Sequence, residues 1–286
     1  MINKGEIFQI GIGTWKVNGE NYNDINALIH SYNCKQNYIS LYMLYDNGNV
    51  VRGIKKFIDQ INRQNLFINV NLEPIIKDKK DVEKQLNKYL KILNINYVDC
   101  LQLHSPIFSE IPLVDVYKEI ERMVQIGKVK YIGISNVNLN QLMEISSAVR
   151  IDFFEGVYNL ECKLYEDIGV LDYCRKNDIQ FMCYQPLRRN RTAMKNYLPL
   201  LSLAEKYQKT QNQIILNWII YEKHIIPLVK CTNIKRIDEN IASLNFQMNA
   251  EDYGELNKFR NEEFDKIEIA WDGNGVTIDQ LANQIE

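Results

Sequence analysis

The chain has 286 residues, 46% of them hydrophobic and 24% charged, ample for one large core. Its 34 basic and 36 acidic residues leave a formal charge of −2, which argues against a nucleic-acid binder or a protein held on an anionic membrane surface. No apolar run approaches the roughly 18 residues of a membrane span. The opening Met1-Ile2-Asn3-Lys4-Gly5-Glu6 lacks the charged-then-apolar layout of a signal peptide, so a cytoplasmic location is expected.

Apolar, β-branched runs at 9–13, 38–44, 66–72, 97–104, 131–135, 154–159, 180–184 and 225–230 read as strands. Amphipathic stretches lie between them. Residues 82–93 place Val82, Leu86, Leu90 and Leu93 on one helical face, and 114–126 do the same with Val114, Tyr117, Ile120 and Val124. Further helical segments are read at 136–142, 171–176, 200–207, 211–221 and 233–244. Strands alternating with helices in this way predict the α/β class and a closed (β/α)8 TIM barrel, one domain over 1–286. An open doubly wound sheet is the alternative, but it normally carries a Gly-rich phosphate turn after its first strand. Gly11-Ile12-Gly13-Thr14-Trp15-Lys16-Val17-Asn18-Gly19 lacks the third glycine at the required spacing. The tail, about 263–286, holds Trp271 and a turn-like Asp272-Gly273-Asn274-Gly275. It is expected either to pack on the barrel surface or to cover one mouth and bring Trp271 to a pocket.

The six cysteines are scattered, without a CxxC pair, and most lie in apolar stretches; free thiols in a reducing compartment are expected. The three histidines, His30, His104 and His224, show no metal-ligand spacing among themselves or with cysteine, so no metal is expected. In a barrel of this kind chemistry sits where strands end. The polar residues there are Tyr45 after strand 2, His104 ending strand 4, Ser135 and Asn136 ending strand 5, Asn159 ending strand 6, Tyr184 ending strand 7 and Lys230 ending strand 8. A tyrosine and a histidine at one mouth make an acid/base pair. Taken singly, each has a plainer explanation: His104 as a hydrogen-bonded strand-end imidazole, Tyr45 as one of seventeen tyrosines.

These residues fall in an order that resembles the aldo-keto reductase family, over residues 8 to 260. The resemblance rests on Gly11-Ile12-Gly13-Thr14-Trp15, on Tyr45 eight residues before Gly53, and on Tyr97-Val98-Asp99-Cys100-Leu101-Gln102-Leu103-His104. It continues in 127–136, ending Gly133-Ile134-Ser135-Asn136, then Tyr184-Gln185-Pro186-Leu187, then Ile226-Pro227-Leu228-Val229-Lys230 with Arg236 and Asn240. It implies NADP(H) as cofactor. Ser135, Asn136 and Asn159 would hydrogen-bond the nicotinamide carboxamide and Tyr184 would stack on its ring, with Thr14, Gln185 and Leu187 also on the cofactor. Lys230 and Arg236 would hold the adenosine 2′-phosphate, with Glu239 and Asn240 near the adenine. A forked guanidinium and an ammonium near a helix start suit a phosphate dianion. Cys231, where family members often carry a hydroxyl residue, would forfeit one phosphate hydrogen bond. Trp15 and Trp271 would line the substrate pocket.

The same resemblance implies a reaction run by four residues, an Asp, a Tyr, a Lys and a His. Here Tyr45 and His104 match, while Ser40 and Asn71 stand at the Asp and Lys positions. Losing both members of an ion pair together is far less costly than stranding one charge, at roughly 3–5 kcal/mol, and Ser40 and Asn71 can hydrogen-bond each other or a water. A tyrosine without a neighbouring cation keeps a pKa near about 10 or rises with burial, so its anion is unsupported. Three readings follow: an NADP(H)-dependent reductase of a specialised carbonyl, sugar-like or a biosynthetic ketone; an NADP(H)-binding pseudoenzyme acting as sensor or subunit; or a changed reaction such as epimerisation or dehydration. The expected partner is a small carbonyl compound, and the expected state a monomer or small homo-oligomer.

Overall fold

The computed structural model describes residues 2–105, 109–221, 224–259, 268–269 and 276–277. Eight parallel strands close on themselves in chain order: β1 (Gly11–Ile12), β2 (Tyr38–Tyr42), β3 (Phe67–Leu72), β4 (Val98–Leu103), β5 (Val129–Ser135), β6 (Phe153–Val157), β7 (Gln180–Tyr184) and β8 (Ile225–Val229). Pairing of Gly11 with Leu228 and of Ile12 with Val229 completes the ring. All eight strands overlap the expected segments, and the (β/α)8 barrel stands. Two short strands, Glu268–Ile269 and Val276–Thr277, pair antiparallel as a separate sheet. The remainder of the tail, with Trp271, lies outside the described residues.

The outer helices are α1 (Tyr22–Asn33), α2 (Asn49–Ile58), α3 (Lys80–Leu93), α4 (Leu113–Gln125), α5 (Leu139–Ala148), α6 (Leu164–Asp167), α7 (Val170–Lys176), α8 (Arg191–Met194), α9 (Leu198–Tyr207), α10 (Gln211–Tyr221), α11 (Ile234–Ile241) and α12 (Ala250–Asn257). Most expected boundaries move by one to three residues, and the segment that becomes α5 moves furthest. The segment read as helical from 136 begins instead at Leu139, because Asn136 takes a left-handed φ of 58° and Asn138 caps the helix, accepting from the Gln141 amide at 2.9 Å. Helices α1, α2, α6, α8 and α12 have no counterpart among the expected segments. The inner face of α1 mixes Asp24 and Ser31 with Ile25 and Leu28, which blurs its period.

Strand alternation sets what fills the barrel. Tyr38, Ser40 and Tyr42 share one face of β2, and the matching positions on the other strands point inward with them. The bottom layer is apolar: Tyr38, Phe67, Cys100, Phe153, Met182, Ile226 and Leu228 form one buried cluster, with the Tyr38 and Phe67 rings stacked 5.2 Å apart. The large outer core, between strands and helices, is contributed by the alternate residues, such as Ile39, Leu41, Ile68, Val70 and Leu101. Gly53 explains its place in the Tyr…Gly spacing. A Cβ there would sit 2.2 Å from the Gly19 Cα, so a bare backbone lets α2 press against the loop that follows β1.

Candidate active site

Above the apolar floor lies a layer of polar side chains that cannot ionise, apart from one carboxyl. Glu155, inward-facing on β6, accepts at Oε2 from Ser40 Oγ, Asn69 Nδ2 and Gln102 Nε2, each at 3.0 Å. Asn71 Nδ2 donates to Ser40 Oγ at 3.0 Å and to the Leu41 carbonyl at 3.1 Å, while Asn71 Oδ1 accepts from Gln102 Nε2 at 2.6 Å. The expected Ser40–Asn71 hydrogen bond is therefore present. The expectation that the layer had lost both charged groups needs correcting, because a carboxyl remains, supplied by β6. No Lys or Arg joins the layer among the described residues. Burial pushes the Glu155 carboxyl up to about 7, against the pull of its three donors. Two acceptors in the layer, Asn69 Oδ1 and Gln102 Oε1, have no partner, which suits a carboxyl that carries a proton.

Sequence reasoning missed Glu155, Asn69 and Gln102. The signal was available: a charged residue in the middle of the apolar run Phe153-Phe154-Glu155-Gly156-Val157 falls on the inward register, where an acid is costly without a purpose. Gly133 makes room for Gln102, whose Oε1 would lie 2.5 Å from a Cβ at that position.

At the mouth, Tyr45 opens a short 3-10 turn directly after β2, and Asp46 and Asn47 within it take left-handed φ values of 48° and 51°. His104 is buried at the end of β4, its backbone amide donating to the Leu72 carbonyl at 3.1 Å. Burial pulls its pKa down to about 3, so the imidazole is neutral at physiological pH. A third aromatic, not anticipated, lies between them. The Tyr42 ring stacks on the imidazole with centroids 3.8 Å apart and planes 3° from parallel, and meets Tyr45 edge-on at 5.2 Å. Tyr42 is two residues beyond Ser40, so alternation alone aims it into the mouth.

The residues expected at a nicotinamide gather beside this trio. Asn136 Nδ2 donates to the His104 carbonyl at 2.9 Å and to Ser135 Oγ at 2.8 Å, and Tyr184 donates its hydroxyl to Asn136 Oδ1 at 2.8 Å. Asn159 Oδ1 accepts from the Glu161 and Cys162 amides, which leaves its buried Nδ2 without a partner. Thr14 is buried and its hydroxyl donates to the Ser40 carbonyl at 2.6 Å. Gln185 takes a left-handed φ of 55° as the chain leaves β7, and Leu187 packs on the core. Trp15 is covered by cations: Arg189 Cζ lies 3.9 Å and Lys16 Nζ 4.5 Å from its ring centroid.

The expected phosphate residues form a second group, on the β8–α11 connection. Lys230 and Arg236 are exposed and take part in no ion pair among the described residues. Asn233 caps α11, accepting from the Arg236 amide at 3.1 Å, and Cys231 Sγ contacts the Asn233 carbonyl at 3.4 Å. Glu239 accepts from the Thr210 hydroxyl at 2.6 Å, which fixes it against α10, and Asn240 is buried.

A sequence model of the aldo/keto reductase family matches residues 9–261. The chain belongs to that family. It is 26% identical to the NAD(P)H-dependent D-xylose reductase I,II of Candida tropicalis, covering 90% of each chain. It is 28% identical to aldo-keto reductase family 1 member A1 of Xenopus tropicalis, covering 87% of this chain and 85% of the other. Among solved structures, a thermostable aldo-keto reductase in complex with the inhibitor epalrestat superposes with a TM-score of 0.81 at 26% identity, covering 88% of this chain and 95% of that one. In this aldo/keto reductase no described helix is long and apolar enough to cross a membrane.

Proposed function

We propose that this aldo/keto reductase binds NADP(H) and reduces a specialised carbonyl compound, sugar-like or a biosynthetic ketone, with little turnover of ordinary aldehydes. The observation that carries the reading is the orphaned Asn159 amide, a buried donor between the Asn136 and Tyr184 strand ends. A nicotinamide carboxamide oxygen would satisfy it, and leaving such a donor unmet costs about 1–3 kcal/mol. Lys230 and Arg236, on the β8–α11 connection and the first turn of α11 and without acidic partners among the described residues, suit a 2′-phosphate dianion and favour NADP(H) over NAD(H). Relatives named as NADPH-dependent point the same way.

When bound, the nicotinamide supplies hydride to the carbonyl carbon. Tyr45 supplies the proton to the carbonyl oxygen, which completes the alcohol. His104 is neutral and poorly basic, so it orients the substrate by a hydrogen bond and does not protonate it. Asn71 stands where the resemblance puts the cation that would stabilise the phenolate, and its amide is already donating to Ser40 and Leu41. A well-supported acid contributes about 10²–10⁴ in rate, and much of that factor is forgone. Trp15 is assigned to the substrate side. A second reading, a cofactor binder without turnover, is favoured by Tyr42, whose ring covers one face of His104.

Titration with NADPH, followed by its fluorescence, and a panel of carbonyl substrates test both readings. Saturable NADPH binding with turnover that Tyr45→Phe abolishes supports the reductase. Binding without turnover on any substrate favours the second reading. No fluorescence change at high micromolar cofactor sinks both.

A further inference from the structure

Away from the barrel mouth, His30 and Cys34 lie one turn apart at the C-terminal end of α1, where side chains four apart share a face. Asp238 on α11, 208 residues from His30 in the chain, faces them. His30 Nε2 stands 2.6 Å from Asp238 Oδ1 and 3.6 Å from Cys34 Sγ, and one ligand atom from each of the three falls within 4.8 Å of the others. Reading the histidines as lacking ligand spacing passed over this pair, because an i, i+4 spacing with cysteine is itself a ligand spacing on a helix.

We propose that His30, Cys34 and Asp238 form a binding site for a borderline divalent transition metal, Zn(II) above all, with water as fourth ligand. Zn–S of about 2.3 Å and Zn–N of about 2.0–2.1 Å at a tetrahedral angle place sulfur and nitrogen about 3.5 Å apart, close to the separation found here. The thiolate and carboxylate together match the charge of a dication, and the imidazole adds a neutral donor. Binding forms the metal–sulfur and metal–nitrogen bonds and releases the Cys34 proton to solvent; the Nε2 proton now shared with Asp238 passes to Nδ1, or to solvent from an imidazolium, as the metal replaces the direct His30–Asp238 contact. Thiolate and imidazole select Zn(II) over Mg(II) or Ca(II), which prefer all-oxygen sites. Asp238 contacts His30, itself a proposed ligand, and no Lys or Arg pairs with that carboxylate among the described residues, so no lysine or arginine competes with the metal. A bound ion ties α1 to α11 across the seam where β8 meets β1.

The test is titration of the reduced, metal-free protein with Co(II) as a spectroscopic probe. One equivalent should produce a near-ultraviolet thiolate-to-cobalt band with the visible bands of a tetrahedral site, and Zn(II) should displace it and raise the melting temperature. Cys34→Ser should abolish the band. His30→Gln and Asp238→Asn should each weaken Co(II) binding by at least the roughly 10–100-fold that loss of an outer-shell partner costs. Cys231→Ser, the change at the other cysteine that is not buried, should leave it unaltered. No band, a band that survives Cys34→Ser, or an affinity indifferent to His30→Gln and Asp238→Asn overturns the proposal.

Discussion

Replacing Glu155 by glutamine separates two opposing effects of pH on stability. In the folded chain the Glu155 carboxyl is raised from 4.5 to about 7 by burial, so between those values the folded state holds a proton that the unfolded state has lost. Stability then falls as pH rises, by about 1.4 kcal/mol per pH unit and on the order of 3 kcal/mol in all. His104 acts in the opposite sense. Its pKa is pulled from 6.5 to about 3, so between those values the unfolded state holds the extra proton and stability rises with pH at the same slope. The two windows overlap from 4.5 to 6.5, where the contributions of Glu155 and His104 cancel.

Glu155→Gln keeps the shape and removes one of the pair. Asn69 Oδ1 and Gln102 Oε1 lack partners, so modest amide reorientation can accommodate the new N–H groups, and the fold is retained. Thermal melts of both proteins at matched pH read the result. The wild type should gain on the variant at low pH and lose that gain as pH climbs through 7. The expected swing of about 3 kcal/mol corresponds to about 6 °C in Tm for a chain of this size. Melting curves that stay parallel from about pH 5 to about pH 8 would refute the reasoning, because a carboxyl that ionises normally gives no such swing.

Further outcomes follow from the same layer and its surroundings. Asn71→Lys alone should raise aldehyde reduction, measured as NADPH oxidation, by part of the roughly 10²–10⁴-fold that an acid/base group supplies, because Glu155 already offers the ammonium a counter-charge. Ser40→Asp alone should lower Tm without raising activity, since it sets a second carboxyl against Glu155. The NADPH-oxidation rate should fall as pH rises through about 7 in the wild type but not in Glu155→Gln, as a carboxylate forming in the layer opposes a developing phenolate. Arg236→Ala should weaken NADPH binding by about 10–100-fold, the scale of a lost charged hydrogen bond, and leave NADH binding unchanged in a fluorescence titration. Gly53→Ala should cost about 1–3 kcal/mol in urea melts, since the added methyl meets the Gly19 backbone.

The barrel was legible because its signal is periodic and repeated: eight apolar runs give eight strands, even though β1 pairs over only two residues. The strand-end residues were legible for the same reason. Once a strand's end is known, the residue there faces the mouth, and His104, Ser135, Asn136 and Tyr184 do meet. What escaped lies one layer deeper or across the chain. Glu155 needs the inward register of β6 and the position of Ser40, 115 residues away, before its neighbours can be named. Tyr42 escaped because its partner His104 lies on β4, 62 residues along the chain, and only the barrel's closure sets the two rings face to face. Asp238 could not be joined to His30 without knowing that α1 and α11 are neighbours.

The polar layer changes what the Ser40 and Asn71 pair means. Had both charges simply been erased, the cheapest interior would be neutral throughout, and a buried acid without a cation would be a standing cost. Instead the layer holds an acid on β6 and, among the described residues, no Lys or Arg, while Ser40, Asn69 and Gln102 all aim donors at it. Such an arrangement holds a carboxyl in either protonation state, with three hydrogen bonds for the anion and two idle acceptors for the acid. A buried group able to change charge near neutral pH is a property of sites that handle protons. On the proposed reading, then, Ser40 and Asn71 stand in a layer that still holds one carboxyl, on β6, and among the described residues no ammonium to balance it.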